Sequence, residues 1–95
     1  MALSERSEND KIEVVGQYKA VQVRRADIIE KDGVEVARSF HRHALVPGSV
    51  DADDNWTDTD ISGEDADVQA ICNAAWTQSV KDAYKAHLIA TRDAV

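Results

Sequence analysis

The chain has 95 residues, a formal net charge of −7, one proline and one cysteine. A single Cys72 rules out an intramolecular disulfide, and no stretch is long and apolar enough for a signal peptide or a membrane span; a soluble protein in a reducing compartment is expected. One domain of this length buries roughly 60–65% of its unfolded surface. Fourteen of the apolar residues are Ala and only 5% of the chain is aromatic, so large core side chains are few and a partner is expected to supply some of the burial.

Met1 to Asp10 is polar and without periodicity, which predicts a mobile N-terminal arm (residues 1–10) ahead of a single α+β domain (residues 11–95). Ile12, Val14 and Val15 read as a first short strand, with Gly16-Gln17 as a turn or bulge. Residues 20 to 46 then form a long hairpin, two runs of alternating β-branched and polar residues joined through Lys31-Asp32-Gly33. The fold expected is an antiparallel meander of about three strands covered by a C-terminal helical pair or one kinked helix.

Two hairpin registers are open. A two-residue turn sets Ile29 opposite Val36, Asp27 opposite Arg38 and Glu30 opposite Glu35. A three-residue turn sets Ile28 opposite Val36 and Arg24 opposite Phe40. Apolar and opposite-charge pairing favours the first, and a slip of one residue exchanges the faces.

Pro47-Gly48 ends the ribbon because proline lacks a ladder donor. An acidic loop follows at residues 48–61, with Trp56 in its middle. That ring either anchors an interface by covering a neighbour's apolar surface or folds back on its own core. Ser62 is the expected cap of a helix whose Val68, Ile71, Cys72, Ala75 and Trp76 form one apolar stripe. Thr77 can cap a second helix with the stripe Val80, Ala83, Tyr84, His87 and Leu88, and these stripes are expected to cover the sheet.

Charge is unevenly spread. Lys19 to Val46 carries six basic and four acidic residues, whereas Asp51 to Ala70 carries eight acidic residues and no basic one. Such a concentrated negative field argues against general nucleic-acid binding. Arg24, Arg25, Arg38, Arg42, Phe40 and Trp56 are the residues expected to meet a partner, with the basic ribbon facing an acidic loop across the contact. His41 and His43 alternate on one strand face but no spacing supplies a third metal ligand. An EF-hand frame starting at Asp53 puts Asp58 where glycine is required, so no EF-hand is expected there, and a solvated acidic loop is the reading favoured over a calcium contact of another kind. Cys72 lies on the apolar stripe, and there is neither a nucleophile elbow nor a glycine-rich phosphate loop. No enzyme, no cofactor and no small-molecule substrate are expected.

At Asp27 to Val46, with Asp32-Gly33-Val34-Glu35 and Arg38-Ser39-Phe40-His41-Arg42, and again at Glu64 to Ile71 and Ala75-Trp76-Thr77, the chain resembles small uncharacterised proteins of tailed bacteriophages of marine bacteria. That resemblance implies a setting, a virion or the cytoplasm of an infected bacterial host. It also implies a role as a structural or assembly protein, such as a capsid decoration, connector or tail component, contacting other virion proteins or copies of itself as a homo-oligomer. The alternative is a small phage regulator that binds a host protein, its acidic segment mimicking nucleic acid.

Overall fold

The computed structural model describes residues 2–92. Three long strands, β1 (Leu3–Val15), β2 (Ala20–Lys31) and β3 (Val34–Leu45), form an antiparallel meander in the order β1-β2-β3. A small hairpin of β4 (Gly48–Val50) and β5 (Trp56–Asp58) follows, then helices α1 (Ala66–Ala75) and α2 (Gln78–Arg92). The fold is α+β, as the sequence predicts.

The expected mobile arm is instead the outer half of β1, which pairs with β2 from Leu3↔Lys31 inwards. Met1 of that arm and residues 93–95 of the expected domain lie outside the described residues. The segment has no hydrophobic period because neither of its faces meets a core. Cross-strand polar partners hold it: Arg6 Nε donates to Glu30 at 2.5 Å and Ser7 Oγ to Asp27 at 2.6 Å. On the helix side Asn9 Nδ2 donates to Asp65 at 2.9 Å and to Asp67 at 3.1 Å.

The β2–β3 turn has two central residues, Asp32 and Gly33, both with positive φ (52° and 84°), the conformation that suits the strand twist. Lys31↔Val34 and Glu30↔Glu35 follow, as the first register requires, but the ladder then shifts by one residue at Val36. Ile29 faces Ala37, Ile28 faces Arg38 and Ala26 faces Phe40, so the remaining pairs of both expected registers are corrected. This bulge turns Arg38 and Phe40 onto the face that carries Arg24, Ala26 and Ile28. A second bulge, at Asp10, lets β1 change face in step.

The two halves of β2 consequently bury opposite faces. Near the helices, Val21 and Val23 pack with Val68, Cys72 and Trp76, surrounded by Ile12, Leu45, Ile61, Ile71 and Ala75. This is the predicted α1 stripe. Farther out, Ala26 and Ile28 are buried on the other face, where their cross-strand neighbours are Glu8, Phe40, Arg6 and Arg38. Long side chains with apolar stems, rather than a helix, exclude water there.

The helices are two, as one of the expected alternatives had it: the chain breaks at Trp76-Thr77 and Thr77 Oγ1 accepts the Val80 N–H at 3.3 Å. Asp65, not Ser62, is the N-cap of α1; the Ser62 N–H is taken by Asp60 Oδ1 at 2.9 Å. Trp76 Nε1 donates to the Lys19 carbonyl at 2.8 Å, tying the helix break to the β1–β2 turn. Among the described residues it is α1 whose stripe packs on the main sheet, against Val21 and Val23. The α2 stripe lies along β4 and meets Tyr18, with Tyr84 and His87 at ring distances of 5.4 and 4.8 Å.

The resulting shape is elongated, 59 × 28 × 20 Å, with a radius of gyration of 17.7 Å. A compact chain of this length has a radius near 12–13 Å. The outer half of the β-ribbon therefore projects from a small helix-covered head.

Candidate interaction surface of the ribbon

Register decides which expected site residues meet. Arg24, Arg38, Phe40 and Arg42 share one face of the ribbon with Arg6, Glu8, Ala26 and Ile28; Arg25 lies on the opposite face, opposite His41. Arg24 grips Asp10 with two hydrogen bonds (2.9 and 2.8 Å), and its guanidinium carbon stands 4.4 Å above the Phe40 ring. Arg38 binds Glu35 the same way (3.1 and 2.7 Å) and approaches Asp10 at 3.6 Å and Glu8 at 3.8 Å. The bulged Asp10 is thus the shared counter-ion of two strands. Arg25 pairs with Asp27, which also accepts from Ser7 and faces His41 Nε2 at 3.0 Å.

Most of the positive charge assigned to partner contact is therefore already neutralised within the ribbon. Arg42 is the exception: among the described residues it takes part in no ion pair within 4.0 Å. It lies beside a groove of about 400 Å³ lined by Lys11, Glu13, Gln22, Arg24 and Ala44.

Trp56 stands apart from these residues. It is half-buried in β5, its ring on Gly48 and edge-on to Tyr84 at 6.3 Å, with Nε1 donating to Asp58 at 2.6 Å. The ring thus rests on Gly48 and beside Tyr84 of its own chain, outside the core cluster beneath α1.

The acidic loop is likewise tied locally. Asp51 Oδ1 accepts the N–H groups of Asp53 and Asn55, both at 2.9 Å, closing the β4–β5 turn. Arg92, from the last turn of α2, donates to the Asp51 carbonyl at 2.8 Å and the Ala52 carbonyl at 3.3 Å, and binds the Asp54 carboxylate. Lys81 reaches Asp58 at 3.3 Å. Among the described residues no ion pair joins segment 51–60 to the ribbon of the same chain, and no group of three or more His, Cys, Asp or Glu is arranged to hold a metal ion. His41 and His43 share a face but take different carboxylates, His43 Nε2 lying 2.6 Å from Glu64. Cys72 is in the core, where burial pushes its thiol pKa up.

Among the described residues six carboxylates are held below their ordinary range. The causes are hydrogen bonds: from Arg24 to Asp10, from Ser7 and then Arg25 to Asp27, and from Arg38 to Glu35. Asn55 lowers Asp51, Trp56 lowers Asp58 and Ser62 lowers Asp60. The unfolded chain, with carboxyl groups titrating near 4, binds protons first as pH falls, so this stability is present above about pH 4 and is lost as pH drops through the depressed folded values. The melting temperature should hold level from pH 7 to 5 and fall below about pH 4. A melting temperature unchanged down to pH 3 would contradict the network. In the Asp10→Asn variant the acid loss should be smaller.

No protein-family model matches the chain, and no curated protein or solved structure matches it. Among the described residues no helix is long and apolar enough to cross a membrane.

Proposed function

We propose that the protein is a non-enzymatic structural or assembly protein that works by protein–protein contact, its β-ribbon being the contacting element. The observation that supports this most is the ribbon projecting beyond the helices, with both faces of β3 exposed along nearly its whole length. A three-stranded ribbon of this length has little core of its own, and association offers it further burial. Its surface carries Val34, Val36 and Phe40 exposed on β3, and Leu3 and Ile29 beside them on β1 and β2. Both outer strands carry a bulge and charged side chains, devices that discourage edge-to-edge pairing. Contact is therefore expected through the faces.

The resemblance to small phage proteins implies a virion or an infected bacterial cell as the setting, and the role proposed is a capsid decoration, connector or tail component that contacts copies of itself or other virion proteins. Mass spectrometry of purified virions should find it in stoichiometric amount; its absence from virions, with recovery on a host protein from infected cells, would favour an intracellular regulator instead.

A further inference from the structure

Register sets three cations side by side across the sheet. Lys11 faces Arg24 on β1–β2, and Arg24 faces Arg42 on β2–β3. Like charges directly opposite one another destabilise a sheet, so the row is retained against a cost. Two of the three are offset locally: Lys11 by Glu13 at 2.8 Å and Arg24 by Asp10 at 2.8 Å. Arg42 has no such partner among the described residues, and the groove of about 400 Å³ opens beside it on the sheet face remote from the α1 core. A planar guanidinium with an unused fork of donors fits a carboxylate.

The chain itself carries a ligand of that chemistry. Segment 51–60 holds five aspartates and no basic residue, presented on the β4–β5 hairpin. Within one chain Asp54 is taken by Arg92 and Asp58 by Lys81, whereas Asp53, exposed at the tip of the turn, has no side-chain ion pair among the described residues. We propose that the Lys11–Arg24–Arg42 row and its groove form the acceptor site for the acidic hairpin, Asp53 foremost, of a second copy of this chain. Acceptor and ligand are different surfaces, so the contact either closes reciprocally in a two-fold dimer or repeats head to tail into a ring or filament. The inference rests on the assembly reading above and names its contact.

The test uses the full chain at low salt, with sedimentation equilibrium and circular dichroism as a folding control. Arg42→Glu and Asp53→Lys each reverse an exposed charge and should each weaken self-association by about tenfold or more. An equimolar mixture of the two variants should recover it, because both contacts between unlike chains are complementary: the Arg42 of one meets the Asp53 of the other, and the introduced lysine meets the introduced glutamate. Association of Arg42→Glu equal to that of the unaltered chain, or a mixture no stronger than either variant, overturns the proposed contact while leaving ribbon-mediated assembly intact. An unaltered chain that stays monomeric but binds immobilised poly-glutamate in an Arg42-dependent manner overturns the second copy as occupant in favour of a foreign acidic peptide. A monomer that binds neither overturns both this contact and self-assembly.

Discussion

Trp76→Ala should destabilise the chain by about 3–5 kcal/mol, the cost of removing a large buried aromatic from a packed core. Trp76 is 7% exposed among Val21, Val23, Val68 and Cys72, and its indole is the donor for the Lys19 carbonyl. Truncation opens a cavity beneath α1 and strands that carbonyl at the β1–β2 turn. Domains of this size have total stabilities of about 5–15 kcal/mol, so the variant should be largely unfolded at modest urea concentrations. Urea titration followed by circular dichroism gives the value. Trp56, the other of the two tryptophans, remains as an independent fluorescent probe. A loss below about 1 kcal/mol would show that the head core is not centred on this ring.

Gly48→Ala is the second large effect, and a local one. A Cβ there would lie 2.5 Å from the Thr57 carbonyl oxygen and 2.7 Å from Trp56 Cε2. The carbonyl belongs to the paired strand, so relieving that contact disturbs the Gly48↔Asp58 and Ser49↔Thr57 ladder, and the Trp56 ring must be displaced as well. Overpacking of this kind costs about 1–3 kcal/mol. In a Trp76→Phe background the emission of Trp56 should shift to the red and lose its response to Asp58 titration. Unchanged emission would mean that the ring does not lie on Gly48.

Some of this architecture is legible in residue order because a single local cause dictates it. The α1 stripe follows from burial at helical spacing, and Asp32-Gly33 makes a two-residue turn because both positions adopt positive φ. What escapes prediction depends on partners distant in the chain. The polar outer half of β1 is a strand only because Glu30 and Asp27 wait on β2, and Asp65 and Asp67 at α1, to receive it. The bulges at Asp10 and Val36 leave no compositional mark, yet they decide that Arg24, Arg38, Phe40 and Arg42 share a face while Arg25 does not. Arg92 holds a loop 38 residues earlier, a tether that no spacing rule encodes, and it turns an acidic loop that resembles a cation site into one already occupied by a guanidinium. The ribbon's arginines are recognisable as surface residues, but their neutralisation by Asp10, Glu8 and Glu35 is a product of register.

Hydroxyl-radical footprinting of the protein, dilute and at concentrations where it associates, tests the claim that the ribbon is the contacting element. Phe40 oxidises readily, is 41% exposed, and lies on the face that carries Arg24 and Arg42. Phe40 and Val36 should become protected on association, while Ile71, on the α1 side of the sheet, keeps its dilute reactivity. Protection confined to α2, with Phe40 unchanged in the associated state, would contradict that claim.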